Sequence, residues 1–286
     1  MKRIIILCIL GILNSHFCFS QNDRFKYLGQ TEPTDVPRIF YLPIVEGVIA
    51  ERIAIAANYR EIFFTEIHPE LNTEHIIKYY QFKNGNWYGP YIFNQKNNEY
   101  GPLFSPDNNT LFINGDYCNR TDTGWTAPSR FMNNRVIHYL QATNQGHYYF
   151  LSHVNDSITD VFKATITDRD TLLLPLKLNM KSNVTNDYYI DPDEDFILIS
   201  LNKTEIDCYG GKDIFIRYKT KNGWTNPINL GKHINTENAK TRFGMCLSPD
   251  KKFMFYTQID ASGVHIFWVK IDELFKQLKE DYLEKE

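Results

Sequence analysis

Long hydrophobic runs are scarce in this sequence of 286 residues. The only pronounced run covers residues 4–13, which is too short to cross a bilayer. Neither sign of charge dominates, because 31 Lys and Arg residues stand against 34 Asp and Glu residues. We therefore expect no membrane-spanning segment. We also expect no nucleic-acid partner, because nucleic-acid binding generally requires a strongly basic face.

Cysteine is also sparse, with three of the five copies (Cys118, Cys208 and Cys246) lying beyond residue 20. Their spacing matches no metal motif, and Cys246 lies in an apolar stretch typical of a buried strand. We expect Cys118 and Cys208 to lie in polar loops, where they could form a disulfide bridge in an oxidising compartment. The sequence contains no phosphate loop, dinucleotide fingerprint, metalloprotease motif or nucleophile elbow. We accordingly predict no cofactor and no metal site, and we identify no catalytic residue.

The first twenty residues have the layout of a cleavable secretory signal. Lys2 and Arg3 precede the short apolar run, and small residues stand three positions and one position before Gln21. We expect cleavage between Ser20 and Gln21. The mature protein is then expected to be periplasmic or secreted, and monomeric.

A degenerate internal repeat is the most informative feature of the sequence. Residues 105–107 and 248–250 read Ser-Pro-Asp, residues 191–193 read Asp-Pro-Asp, and an apolar run follows each triplet. Weaker copies lie at residues 56–59 and 143–146. Proline presets φ for a turn, and Asp, Asn and Gly tolerate its unusual positions, so each copy predicts strand, tight turn, strand. In the two weaker copies a different turn shape is open.

Further strands follow these turns in most units. Third strands are predicted at residues 75–80, 160–164, 213–218 and 265–269, whereas the second unit has no clear copy. Fourth strands follow near residues 86–90, 124–128, 172–176 and 222–227. Four-stranded units that repeat about every 50 residues are typical of β-propeller blades, which bury their faces against neighbouring blades.

We therefore predict an all-β fold, a β-propeller of about five four-stranded blades within residues 21–270. The fifth unit lacks a fourth strand, and residues 25–29 resemble residues 228–231 at the end of unit four. We expect this N-terminal segment to complete the last blade and close the ring. Six blades remain possible if residues 36–49 form extra strands. Apolar residues at helical spacing predict a short amphipathic helix in residues 271–286.

These motifs resemble the PD40, TolB-like (WD40-like) β-propeller repeat proteins of Bacteroidetes-type bacteria. The resemblance covers essentially all of the mature chain. It rests on the Ser-Pro-Asp turns and on residues 27–30, 210–215, 223–231 and 266–269. It implies the propeller architecture. For function it implies only a periplasmic scaffold or a part of a larger envelope protein.

One face of such a ring collects polar residues, because loops between second and third strands share a side with the loops that enter each next blade. The candidate ligand-binding residues on this face are Glu99, His138, Asp187, Asp213, Arg242 and His265. The alternative is that these residues cap loops and bond adjacent blades. Regular recurrence favours that alternative for the third-strand positions Asp213 and His265.

These observations favour a binding or scaffold module for a protein or glycan of the cell envelope. One alternative is a carbohydrate-active hydrolase or lyase that uses carboxylates at one mouth of the channel. A third hypothesis is a structural subunit whose C-terminal helix docks a partner. The fold alone does not decide among the three.

Overall fold

The structure is a computed structural model that describes residues 25–43, 48–68, 74–95, 99–155, 158–167, 170–178, 187–204 and 206–283. The predicted signal peptide, residues 1–20, lies outside these ranges. None of the helices in the described ranges has the length and apolar character needed to cross a membrane.

Five antiparallel sheets form the five blades of a β-propeller, which confirms the predicted fold class. Blade 1 contains β2 (Ile49–Ile55), β3 (Glu61–His68), β4 (Glu74–Lys83) and β5 (Asn86–Gln95). Blade 2 contains β6 (Pro102–Phe104), β7 (Thr110–Ile113), β8 (Asp116–Thr121), β9 (Gly124–Trp125) and β10 (Ser129–Arg130). Blade 3 contains β11 (His138–Ala142), β12 (His147–Asn155), β13 (Ile158–Ile166) and β14 (Thr171–Pro175).

The last two blades follow the same meander. Blade 4 contains β15 (Tyr188–Ile190), β16 (Phe196–Asn202), β17 (Lys212–Thr220), β18 (Gly223–Trp224) and β19 (Ile228–Asn229). Blade 5 contains β20 (Thr241–Leu247), β21 (Phe253–Asp260), β22 (Gly263–Lys270) and, from the other end of the chain, β1 (Arg38–Ile39). The inner strands β2, β6, β11, β15 and β20 surround the central axis.

The ring closes through the N-terminal segment, as predicted, but with a different strand. β1 pairs with β22 in the register Arg38↔Trp268, so Arg38–Ile39 supply the closing strand, and the described part of residues 36–49 adds no sixth sheet. The prediction that residues 25–29 form this strand is wrong. Residues Lys26–Gly29 form a short 3-10 helix, and Tyr27 from it is buried against Trp268, with ring centroids 5.2 Å apart.

The turns between first and second strands share one backbone conformation in all five blades. The second residue after each motif proline, or after its equivalent, has a left-handed φ: Tyr59, Asn108, Gly146, Glu194 and Lys251. The two copies without Ser-Pro-Asp therefore keep the same turn position. In the intact copies the serine hydroxyl accepts a strand amide, for example Thr110 N to Ser105 Oγ at 2.9 Å. The motif is structural. We call this end of the ring the turn face, and the opposite end, where the inner strands begin, the loop face.

The structure corrects two details of the second unit and of the cysteines. Unit two does have a third strand, β8, which the sequence conceals because Asp116, Asn119 and Arg120 interrupt its apolar pattern. Cys118 lies in that strand, in the core between blades 1 and 2, and not in a loop. Cys208 packs in a different cluster. Cys118, Cys208 and Cys246 are all buried and none of them is in a disulfide, so the bridge that the sequence left open is not formed.

The C-terminal helix α1 (Asp272–Leu283) packs its apolar side on the propeller. Phe275 is 7% exposed and contacts Phe196 edge-to-face at 5.2 Å, while its carbonyl accepts the Tyr218 hydroxyl at 2.6 Å. The apolar face of the helix therefore packs on its own chain, and docking of a partner by the C-terminal helix stays a prediction.

Candidate functional site

Two charged residues interrupt the innermost strand of blade 1. β2 is apolar except for Glu51 and Arg52, which are 5% and 0% exposed. The pairing of β2 with β3 shifts register between Glu51 and Ile53, and Arg52 there has φ +42°. This β-bulge turns the Arg52 side chain out of the normal alternation. The contacts of its guanidinium come from blades 3 and 4, so the group lies on the axis of the ring.

The Arg52 guanidinium is held on two sides. Its Nη2 forms an ion pair with the Asp187 carboxylate and donates to the Tyr188 carbonyl at 3.2 Å. Its Cζ lies 4.5 Å from the centroid of the Tyr139 ring, a cation–π contact. Burial is the largest single effect and lowers the pKa of Arg52, but the charge of Asp187 together with Tyr139, Cys246 and Glu51 outweighs it, so that the pKa is raised. Nε and Nη1 have no hydrogen-bond partner among the described residues.

Glu51 lies beside the Arg52–Asp187 ion pair, and the charges of both residues act on its carboxyl group. The Tyr139 hydroxyl donates to Glu51 Oε1 at 3.4 Å. Burial, followed by the negative charge of Asp187, raises the pKa of Glu51 to about 7, although Arg52 acts in the opposite direction. A buried carboxyl group that titrates near neutrality can donate or accept a proton under ordinary conditions.

Two glycines allow the chain to pass close to these side chains. Gly101 has φ +63°, and a Cβ there would lie 3.0 Å from the Tyr139 ring. Gly244 has φ +66°, and a Cβ there would lie 3.1 Å from the Arg52 amide. The Gly244 amide also donates to the second Asp187 oxygen. Blades 2 and 5 therefore contribute backbone to the axis, whereas blades 1, 3 and 4 contribute side chains.

Aromatic and imidazole rings surround this cluster on the loop face. The Tyr100 hydroxyl and His138 Nδ1 are 2.9 Å apart, and the Tyr100 ring contacts Tyr139 at 5.6 Å and His75 at 5.1 Å. Burial raises the pKa of Tyr100 to about 12 and lowers the pKa of His138, so both groups are neutral at pH 7. We call Glu51, Arg52, Tyr100, His138 and Tyr139 the axial site.

The structure brings together two of the six residues selected from the sequence and buries a third. Asp187 contacts the axial site through its ion pair with Arg52. His138 lies at the edge of the site, where its Nδ1 contacts the Tyr100 hydroxyl. Glu99 is 7% exposed and directly precedes Tyr100 in the chain. His138 and Asp187 therefore lie at the loop-face end of the axis, on blade 3 and at the entry into blade 4.

Arg242 and Asp213 lie away from that cluster and bond blade 5 to blade 4. Arg242 Nη1 contacts Asp213 Oδ1 at 3.0 Å, and its other nitrogens donate to Thr236 and Gln258. Asp213 also accepts the backbone amide of Tyr209 at 2.7 Å. With its polar atoms occupied in this way, the pair serves the architecture.

His265 lies on β22, the third strand of blade 5, opposite Gln258 on β21. Its position two strands from the axis separates it from the axial cluster. Asp160, the counterpart of Asp213 in blade 3, accepts the amides of Lys177 and Leu178. The recurrent third-strand carboxylates are therefore loop caps.

A second opening lies at the other end of the axis, on the turn face. This cavity of about 180 Å³ is lined by all five blades, including Ala54, Phe104, Asn144, Tyr189 and Cys246. Burial raises the pKa of the Cys246 thiol to about 12, so it stays protonated and unreactive. The described part of the chain contains no group of three or more His, Cys, Asp or Glu residues placed to hold a metal ion.

Of the axial site, the sequence analysis selected only His138, and the most consequential residue that it missed is Arg52. Its signal was available, because two adjacent charged residues inside an apolar strand are costly to bury and therefore have a reason to be there. Glu51 and Tyr100 lie on the predicted face, but neither was among the six candidates. The bulges that bring these side chains together leave no mark in the repeat pattern.

Comparisons with known proteins identify the fold and not the family. No protein-family model matches this sequence, and no curated protein matches it. Among solved structures, TolB from Acinetobacter baumannii is 12% identical with a TM-score of 0.49, covering 77% of this chain and 53% of TolB. A mannose phosphorylase from Leishmania mexicana, solved with a phosphate ion, is 10% identical with a TM-score of 0.50 and covers 84% of this chain and 90% of the phosphorylase. Hydrazine synthase from Kuenenia stuttgartiensis is 10% identical with a TM-score of 0.40, over 81% and 79% of the two chains. The chain thus spans about half the length of TolB, and at these identities the likeness concerns the fold alone.

Proposed function

We propose that this chain is an exported binding module of the cell envelope that recognises a glycan or a protein at the axial site. The observation that carries the proposal is the state of Arg52. The guanidinium is buried on the axis of the ring, yet Nε and Nη1 lack acceptors among the described residues. A buried donor without an acceptor costs about 1–3 kcal/mol, and a ligand that supplies the acceptor recovers that free energy.

The surroundings of Arg52 define what such a ligand presents. Arg52 requires acceptor oxygens, Glu51 accepts or donates a proton, and the rings of Tyr100 and Tyr139 offer flat apolar faces with hydroxyl groups at their edges. Hydroxyl groups both donate and accept, so a sugar ring satisfies all three requirements. A carboxamide or carboxylate side chain of a protein partner satisfies the first. Export and the envelope location rest on the signal-like residues 1–20 and belong to the same proposal.

The test uses two variants of rim residues and one control at the opposite end of the ring. Purified residues 21–286 are titrated calorimetrically with bacterial envelope and host saccharides. Tyr100→Phe and His138→Ala are expected to weaken binding at least tenfold, while Lys252→Ala, on the turn face, leaves it unchanged. Equal affinity in all four proteins would place the ligand elsewhere. If no saccharide binds, a photo-cross-linker at position 100, compared with one at position 252, tests the protein form of the proposal in envelope fractions.

A second candidate function, a glycoside hydrolase or lyase, is favoured by one specific observation. The pKa of Glu51 is raised to about 7 in the same cluster where Asp187 is held by Arg52. Glu51 is thus a buried carboxyl group with a raised pKa, whereas Asp187 is paired with a cation. Glycoside hydrolases use two carboxyl groups in different environments of this kind, one of them as the acid. Release of reducing sugar by the wild type that is lost in Glu51→Gln, with the fold retained, would establish it. Absence of turnover by the wild type on the whole panel would refute it.

A further inference from the structure

A trough on the outer half of blade 1 is built differently from the rest of the surface. It has a volume of about 350 Å³ and is lined by Tyr79, Gln81, Lys83, Asn84, Tyr88 and Tyr91. All six residues belong to β4, β5 or the turn between them. The trough is therefore separate from the axial site, which lies on the innermost strands.

A bulge in β5 collects the tyrosines on one side of the sheet. In β4, residues 79, 81 and 83 alternate onto one face. Tyr88 pairs with Gln81, but Tyr91 and not residue 90 pairs with Tyr79, because the register shifts between them. The extra residue is accommodated at Gly89, which has φ +126° and where a Cβ would lie 2.7 Å from the Tyr79 carbonyl. Without the bulge, Tyr88 and Tyr91 would point to opposite faces.

The resulting surface is aromatic, open and rigid at its base. Tyr88 and Tyr91 are 44% and 46% exposed, so both rings are accessible to a ligand. The Tyr91 ring lies 5.5 Å from Tyr79 at an angle of 50°, and Tyr79 in turn stacks on the buried Phe63 at 5.0 Å. Packing on the core fixes the inner ring, so a ligand meets a preorganised platform.

The side chains that line the trough indicate which class of ligand it can bind. The trough has no aliphatic side chain and no carboxylate, and it combines three phenol rings with two amides and one exposed ammonium group, that of Lys83. Glu61, which faces Gln81 on β3, is buried and paired with Arg120 at 2.7 Å, so its charge does not neutralise Lys83. Rings for stacking, amides for hydroxyl groups and a single cation complement a sugar that carries a carboxylate.

We propose that this trough is a second binding site, specific for acidic saccharides such as uronate- or sialate-containing oligosaccharides. The apolar face of a sugar ring stacks on Tyr88 and Tyr91, the amides of Gln81 and Asn84 bond its hydroxyl groups, and Lys83 pairs with its carboxylate. The site goes beyond the proposed axial function and does not depend on it. A proline-rich peptide, which also binds aromatic grooves, is the competing ligand.

The experiment is a calorimetric titration of residues 21–286 with oligogalacturonate, an alginate oligomer and sialyllactose, with lactose as the neutral comparison. We expect at least one acidic sugar to bind at least tenfold more tightly than lactose. The double variant Tyr88→Ala/Tyr91→Ala is expected to abolish binding, and Lys83→Gln to remove the preference over lactose. Tyr41→Ala, which truncates a tyrosine 68% exposed outside the trough, is expected to bind like the wild type.

Three results would overturn the proposal: no binding of any acidic probe, unchanged affinity in both trough variants, or binding only of a proline-rich peptide. If the double variant misfolds, Lys83→Gln still tests the proposal, because this single variant changes only one exposed side chain. Tyr100→Phe and His138→Ala separate the two sites. Loss of acidic-sugar binding in those variants alone would assign the ligand to the axial site.

Discussion

Glu194 shows how a single buried residue links blades 3 and 4. Its carboxylate, 1% exposed, accepts from Thr143 at 2.9 Å and pairs with His147, Lys219 and Lys163 at 2.6, 3.0 and 3.2 Å. Burial alone would raise the pKa of Glu194, but the bonds to His147, Lys219 and Thr143 outweigh it and lower the pKa to about 2. The folded carboxylate is thus strongly preferred over its protonated form.

This shift predicts an acid-dependent contribution to stability. The folded pKa lies below the unfolded value near 4.5, so the contribution is fully present above pH 4.5 and is lost as the pH falls towards 2. Glu194→Gln is expected to lose on the order of 2–3 kcal/mol at pH 7, and the gap to the wild type should narrow below pH 4.5. Urea unfolding of both proteins at pH 7, 4.5 and 3 measures this difference in the free energy of unfolding. The exposed Glu280→Gln serves as the control, and a pH-independent gap would contradict the assignment.

Glu51 predicts the opposite dependence. Its folded pKa of about 7 lies above the unfolded value near 4.5, so the folded protein binds an extra proton between these values and loses stability as the pH rises through 7. Relative to the wild type, Glu51→Gln is therefore expected to gain on the order of 3 kcal/mol between pH 4.5 and pH 8. Melting temperatures across that range measure the change. Glu32→Gln, at an exposed position, should show no such trend.

The residue scale is also where sequence reasoning reached least far. Asp187 and His138 were recognisable because they are polar residues at the start of inner strands. Arg52 was not, because its role depends on a bulge and on Asp187, a residue more than a hundred positions away. Likewise, nothing local to Asp213 and Arg242 reveals that the two form an ion pair.

At the scale of elements, helix α1 provides a sharp test of packing. Phe275→Ala removes a side chain that contacts Phe196 and belongs to the main core cluster. We expect a loss of about 3 kcal/mol, as for other buried phenylalanines, because the helix cannot collapse into the space without moving. Denaturant unfolding measures it. Lys276→Ala, on the exposed side of the same turn, should change stability by less than about 0.5 kcal/mol.

Elements with a strong periodic pattern were predictable, and elements fixed by their neighbours were not. The apolar third strands β4, β13, β17 and β22 were found from sequence with errors of a few residues at their ends. β8 was missed, because its short polar sequence forms a strand only through pairing with β7 and β10. The position of β1 was predicted wrongly, because a strand of only two residues, Arg38 and Ile39, shows no alternating pattern in the sequence. The buried Tyr27 nearby is an apolar residue of the kind found in strands, although it lies in a 3-10 helix.

At the scale of the whole molecule, the ring depends on its closure. Phe40, next to β1, is 2% exposed and contacts Phe255 and Trp268 edge-to-face at 5.4 and 5.3 Å. Phe40→Ala is expected to cost about 3–5 kcal/mol and to lower the melting temperature of the entire protein. Its neighbour Tyr41, 68% exposed, provides the matched control, and Tyr41→Ala should be nearly neutral. Similar melting temperatures for both variants would show that closure contributes little.

A count of about five blades, with six left open, and the closure by the N-terminal segment were predictable because repetition is a property of the whole chain. Five copies of one turn, each with its left-handed residue at the same place, count the blades even where Ser-Pro-Asp is lost. The centre of the ring was not predictable in the same way. The residues at the centre differ from one repeat to the next. For example, the bulge in the inner strand of blade 1 contains Arg52, whereas the equivalent bulge of blade 5 contains Gly244.

The pairing of β1 with β22 also sets an order of events during synthesis. The ribosome releases residues 38–39 early, but their partners Phe267 and Trp268 emerge only after four blades have been made. Until then the nascent protein is an open arc with two unsatisfied ends. A product truncated before β22 remains in that state, because the fifth sheet closes only when both β1 and β22 are present.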